Sequence, residues 1–282
     1  EIDDNLKKTD LTGKALPIYD VKYFQKKSFE KISDKSNKYI FKCFDIAINL
    51  SKKNKINGII NCPVAKETLF KKKHQGITEF LSRKYKTQGN EVMLIYNKDL
   101  SVSPITTHIP LSEVNRKISK SQIIKKVKII DRFYKKILKK KPNIAVLGIN
   151  PHNYSSKKKI EKMEIVKKAI KILKKSKLKV IGPVSPDSSF MFSNKSKYDV
   201  IVGMYHDQVL TPFKALYNFD AINITLGLPY IRISPDHGVA SNIIGKKIAN
   251  PNSLIESIKF FNWIAWEKGL KGLFKWKIRS LR

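Results

Sequence analysis

Three of the chain's five histidines share one kind of address: each follows a short apolar run of the type that forms a strand. His108 comes after residues 102–107, His152 after 143–149 and His206 after 199–205. In an open parallel sheet the carboxyl ends of the strands line one edge, ligands bind in the crevice there, and side chains distant in sequence can meet. Three imidazoles meeting at that edge form a donor set suited to zinc and similar first-row ions. His74, flanked by Lys71, Lys72 and Lys73, reads as plain surface.

A second chemical signal lies in residues 203–238. A His-Asp pair, His206 and Asp207, is followed by Lys214, Asn223 and Arg232 at near-equal intervals, with Gly227 and Pro229 shaping a turn. Lys supplies a mobile ammonium, Asn an amide and Arg a planar fork, a set that suits a phosphate or carboxylate. Arg232 stands among Leu228, Pro229, Tyr230, Ile231 and Ile233, an apolar setting that surface decoration does not explain. No GxGxxG, GxxxxGK[ST], GxSxG or HExxH pattern occurs, so local motifs name no nucleotide site and no cofactor-binding residues.

The elements that must position these groups alternate. Strand-like runs fall near 56–61, 92–96, 102–107, 144–149, 178–181, 200–204 and 221–226, and helical periodicity covers 121–139, 160–173 and 254–265. Such alternation predicts an α/β fold, a mainly parallel sheet with helices on both faces. With 282 residues the chain is long enough for one large α/β unit or two lobes. The first 35 residues are polar and irregular.

The net charge of +34 resembles a nucleic-acid signal, but its make-up argues otherwise. Only six of the 57 basic residues are arginine, whereas recognition of phosphates and bases relies on arginine forks. Lysines spread over nearly every helical segment describe a solvated surface, so no nucleic-acid partner is expected, although an anionic small molecule gains from the field. No apolar stretch approaches the roughly 20 residues of a membrane span, and the opening residues lack the pattern of a signal peptide, so no membrane association and a cytoplasmic location are expected. Cys43 and Cys62 fit a reduced compartment and are expected to be small buried side chains.

Several motifs together resemble the 4-hydroxythreonine-4-phosphate dehydrogenase family of vitamin B6 synthesis. They are ThrThrHisIlePro at 106–110, AsnProHis at 150–152, GlyProValSerProAsp at 182–187, MetTyrHisAspGln at 204–208 and AsnIleThrLeuGlyLeuPro at 223–229, followed by IleArg and AspHisGly. The resemblance implies a two-lobed α/β/α fold like that of isocitrate and isopropylmalate dehydrogenases. The lobes would comprise residues 1–75 with 245–282, and 76–244. It places His108, His152 and His206 on the family's divalent-metal ligands (Zn, Mg or Co), with His206 reaching the site of a homodimer partner. It places Thr78, Lys214, Asn223 and Arg232 on substrate contacts, Asp187 and Asp207 on acids lining the pocket, and Lys66 near it. His237 falls on a family motif set apart from the three ligands.

The implied reaction oxidises the C3 hydroxyl of 4-phosphooxy-threonine with NAD, and the resulting β-keto acid loses carbon dioxide. A metal with open positions serves both steps as a Lewis acid, while Asp187, Asp207 or a water takes the hydroxyl proton. Three departures from the family stand out. Ile77 occupies the position of a substrate-contacting histidine, and Asn153, Tyr154 and Ser155 replace a glycine-rich loop. The opening strand and its glycine-rich loop are missing, as in an N-terminally incomplete chain. Ile77 makes a paralogue acting on a threonate or erythronate phosphate a close alternative, and a non-catalytic metal- or anion-binding relative lies further off.

Overall fold

The computed structural model describes residues 17–27, 29–71, 76–151, 162–191 and 196–267. Its elements run α1 (Asn37–Lys52), β1 (Gly58–Ile60), α2 (Lys66–Phe70), α3 (Ile77–Lys84), β2 (Val92–Tyr96), β3 (Ser101–Pro104), α4 (Leu111–Lys117) and α5 (Lys120–Lys136). There follow β4 (Ile144–Leu147), α6 (Lys162–Lys175), β5 (Val180–Val184), α7 (Pro186–Ser189), β6 (Val200–Gly203), α8 (His206–Tyr217), β7 (Ile222–Leu226), β8 (Ile231–Pro235) and α9 (Asn252–Glu267).

The strands form one sheet in the order β1-β8-β7-β2-β3-β6-β4-β5. Pairing is parallel at β1–β8, β3–β6, β6–β4 and β4–β5, and antiparallel at β8–β7, β7–β2 and β2–β3. The expected α/β architecture is therefore present, with an antiparallel centre that periodicity did not announce. Each expected strand run overlaps one, β3 and β5 being shifted from their runs; β8 was not foreseen, because an arginine at its second position and Pro235 at its end hide its apolar alternation.

Side chains alternate across a sheet with period two, so each strand divides its residues between two layers. On one face Val92, Leu94, Val146, Val202, Ile224 and Ile233 pack beneath α5, α6 and α9. On the other, Met93, Ile95, Val102, Leu147 and Ile201 pack beneath Val209, Leu210, Phe213 and Tyr217 of α8. Helix α5 begins where Ser119 Oγ accepts from the Gln122 N–H at 3.2 Å, an N-cap bond, and it buries Ile123, Val127, Ile130 and Tyr134. A third cluster joins α1, α2 and α3 through Phe44, Ile48, Phe70, Ile77 and Phe80.

No helix among the described residues is long and apolar enough to cross a membrane. The cysteines differ from expectation: Cys43 is half-buried and Cys62 exposed, since Cys62 follows β1 into a surface loop rather than the core.

Candidate active site

β3 and β6 are parallel neighbours with Pro104 opposite Gly203, so the segments leaving their carboxyl ends travel side by side. His108 and His206 consequently face each other within one chain, ring centroids 5.8 Å apart. The strand pairing thus seats His206 beside His108 within the chain. His206 opens α8, and its Nδ1 lies 2.6 Å from Asp207 Oδ1. His152 falls outside the described residues, and among those described no three His, Cys, Asp or Glu side chains gather as a metal-holding group.

Both histidines line a cavity of about 400 Å³. Its floor is not the sheet edge but the face of the antiparallel strands. Thr225 is paired with Arg232, and Asn223 with Ser234, and all four project to the site side. Thr78, Lys66 and Lys214 complete the lining, with Asp236, His237 and Glu79. The structure thus brings together Lys66, Thr78, His108, His206, Lys214, Asn223 and Arg232. Asp207 is exposed and reaches the cavity only through His206. Asp187 sits exposed on α7, beyond the edge strand β5, where one carboxylate oxygen accepts the Ser188 N–H at 2.8 Å. Neither aspartate lines the cavity.

Arg232 is 3 % exposed. Its Nε donates to Asn61 Oδ1 at 2.7 Å and its Nη1 to Thr225 Oγ1 at 2.9 Å, and Thr225 Oγ1 lies 3.3 Å from Thr78 Oγ1. Burial pulls the guanidinium down to about 10, with Tyr230 and Glu79 opposing the shift, so it remains cationic at neutral pH. The fork is thereby held rigidly as a fixed positive charge. Asn223 Oδ1 is buried and has no hydrogen-bond partner among the described residues, an uncompensated cost unless a ligand supplies a donor.

Lys214 pairs with Asp236 Oδ2 at 2.5 Å and also donates to the Asp236 carbonyl. Asp236 is fixed in turn by its N–H to Ser253 Oγ at 2.8 Å. Burial raises the Asp236 carboxyl above the usual carboxylate value, and Lys214 pulls it back in part. His108 is held below the ordinary imidazole value by desolvation between the cavity walls, then by the Lys66 ammonium, with Glu79 opposing. Two imidazoles on one cavity, one of them biased to its neutral, lone-pair form, fit a first-row divalent ion.

Sequence reasoning missed Asn61, Thr225, Glu79 and Asp236. The first two hold Arg232, Asp236 holds Lys214, and Glu79 enters with its Oε2 buried and without a hydrogen-bond partner among the described residues. The available signal was proximity to motifs already noted, Glu79 beside Thr78 and Asp236 beside His237.

The layered sheet is an α/β scaffold whose fold the isocitrate dehydrogenase of Methylococcus capsulatus shares at a TM-score of 0.50 and 11% identity, over 79% of this chain and 71% of that one. A family model described as pyridoxal phosphate biosynthetic protein PdxA matches residues 1–261, and the chain belongs to that family. A 4-hydroxythreonine-4-phosphate dehydrogenase from Sulfurihydrogenibium sp. (strain YO3AOP1) is 40% identical over 214 residues, 73% of this chain and 64% of the relative. A D-threonate 4-phosphate dehydrogenase from Pectobacterium atrosepticum is 33% identical over 222 residues, covering 78% and 68%. The crystal structure of a 4-hydroxythreonine-4-phosphate dehydrogenase from Klebsiella pneumoniae matches at a TM-score of 0.72 and 33% identity, over 83% of this chain and 72% of that one. The chain spans a little under two thirds of the length of the first of these curated relatives.

Proposed function

We propose that this chain is a 4-hydroxythreonine-4-phosphate dehydrogenase of pyridoxal phosphate synthesis. It oxidises the C3 hydroxyl of 4-phosphooxy-L-threonine, the hydride passing to NAD and the hydroxyl proton to a base. The β-keto acid then loses carbon dioxide to leave 3-amino-2-oxopropyl phosphate. The observation that carries this reading is the buried Arg232 fork in one cavity with Lys214, Thr78, the unpartnered Asn223 Oδ1 and two facing histidines.

In this reading Arg232 and Lys214 hold the substrate's anionic groups, and Thr78 and Asn223 orient its hydroxyl and amino groups. His108 and His206, with His152, hold a divalent ion, which when bound supplies Lewis acidity to both steps. Of the acids expected to take the proton, Asp207 acts through His206 Nδ1, and Lys66 lines the cavity with His206. A cytoplasmic homodimer belongs to the same proposal, as do two lobes divided near residues 75 and 245.

One observation favours a second reading, a paralogue acting on a threonate or erythronate phosphate. Ile77 is 5 % exposed and packs in the α1–α3 cluster, so it offers no donor where the family resemblance implies a histidine. NADH formation with both substrate types, with and without a chelator, separates the readings. Turnover of 4-phosphooxy-threonine that chelation stops is the expected result. Preference for the hydroxy acid selects the paralogue, and absence of turnover on either overturns the enzyme reading.

A further inference from the structure

The carboxyl ends of β3, β6 and β4 lie in that lateral order, and a line of hydrogen bonds crosses all three, close in sequence to His108 and His206. Thr106, 6 % exposed, donates its Oγ1 to the Met204 carbonyl at 2.8 Å, and its N–H reaches the same oxygen at 3.1 Å. The Met204 N–H donates to Gln208 Oε1 at 2.6 Å, and Gln208 Nε2 donates to the Gly148 carbonyl at 2.8 Å. Gly148 is anchored by its own N–H to the Val184 carbonyl at 2.9 Å. A Cβ on Gly203 would stand 2.9 Å from Gln208 Oε1 and 2.5 Å from Val209 Cγ1, so the absence of a side chain there lets Gln208 tuck under the helix start.

We propose that this line is a brace that sets the lateral spacing of the three strand ends, with Thr106 and Gln208 as positioning residues for His108 and His206. Thr106 stands two residues before His108, Met204 and Gln208 each two residues from His206, and Gly148 on the strand end that leads in sequence to His152. A primary amide is the side chain that accepts from one strand and donates to the next at once. The metal consequence rests on the proposed function; the mechanical one does not.

The test uses the full chain, Zn²⁺ alone as the probe, and the variants Gln208→Leu, Gln208→Glu, Thr106→Val and Thr106→Ser. Gln208→Glu keeps the acceptor for Met204 and removes the donor to Gly148, so it breaks the brace with little change of shape. Loss of groups that orient metal ligands weakens affinity about 10- to 100-fold. That loss is expected for Gln208→Leu, Gln208→Glu and Thr106→Val, together with a changed Co²⁺ absorption spectrum, while Thr106→Ser retains wild-type affinity. Hydrogen exchange should rise together in the 101–107 and 144–151 segments whichever end is substituted. Wild-type Zn²⁺ affinity in the broken variants, or exchange confined to the substituted strand, overturns the proposal. A wild-type chain that takes up no Zn²⁺ removes the metal reading, and the exchange pattern then decides the brace by itself.

Discussion

The two halves of the sheet use the same alternation for different ends. In the parallel half every residue of β3, β4 and β6 is buried, and Val102, Leu147 and Ile201 meet α8 with apolar side chains. In the antiparallel half β7 and β8 keep Ile224 and Ile233 on the α5 side but turn Asn223, Thr225, Arg232 and Ser234 toward the cavity. Apolar faces need only volume, whereas a polar face inside a fold needs partners for each donor and acceptor. Arg232 and Thr225 satisfy each other, and Asn223 is left for a ligand. The faces of the parallel strands therefore serve mainly stability, while the proposed chemistry rests on the polar face of β7 and β8 together with the histidines that leave the ends of β3 and β6.

Breaking the chemical half is expected to give the largest effect. Arg232→Ala removes a buried charge that two side chains hold in place, and truncating such a group costs 2–5 kcal/mol of binding. kcat/KM on the phosphorylated substrate should fall about 10³-fold, which corresponds to about 4 kcal/mol. Arg232→Lys should recover little, because an ammonium cannot reproduce the fork. An Arg232→Ala protein with near-normal kcat/KM would remove this residue from the anion site.

Ile201→Ala tests the other half. Ile201 is 0 % exposed beneath α8, and truncations of this kind cost roughly 2–5 kcal/mol of stability. Denaturant unfolding should show that loss while KM stays near wild type. A raised KM with unchanged stability would contradict the division of labour.

Asn223→Ala sharpens the contrast from within a single strand. It deletes a buried oxygen that lacks a partner, so thermal stability should be unchanged or slightly higher, while kcat/KM drops on the order of tenfold from one lost hydrogen bond to a charged ligand. Its neighbour Ile224 faces the opposite layer, and Ile224→Ala should do the reverse, lowering the melting temperature and sparing kcat/KM.

The same contrast explains what was legible beforehand. The parallel strands β3, β4 and β6 are continuous apolar runs, and His108 and His206 could be located from those runs alone. β8 escaped notice because Arg232 and Ser234 interrupt its pattern, and α8 because Pro212 lies inside it and its first turn reads as a motif. Helix α1 was not read from the sequence, although Ile40, Phe41, Phe44 and Ile48 share one face of it. Lys214, Asn223 and Arg232 were recognisable from their charge and amide types at near-equal intervals. Asn61 and Asp236, their tertiary partners, carry no local signal, since a holding role exists only once β1, β8 and α8 are assembled.

The smallest expected effect concerns pH. Asp236 holds Lys214, yet burial outweighs that attraction and leaves its carboxyl above the usual value. A raised carboxyl favours the protonated form in the folded state relative to the unfolded chain. Its stabilising contribution is therefore complete below the ordinary carboxylate range and is lost as pH rises through the raised value. Asp236→Asn cannot ionise and escapes that loss. Melting temperatures measured across the acid range should show the variant gaining on wild type as pH climbs through this window, then holding a constant offset. The opposite trend, wild type gaining on the variant, would mean that Lys214 rather than burial dominates Asp236, and the antiparallel half would then contribute electrostatic stability as well as chemistry.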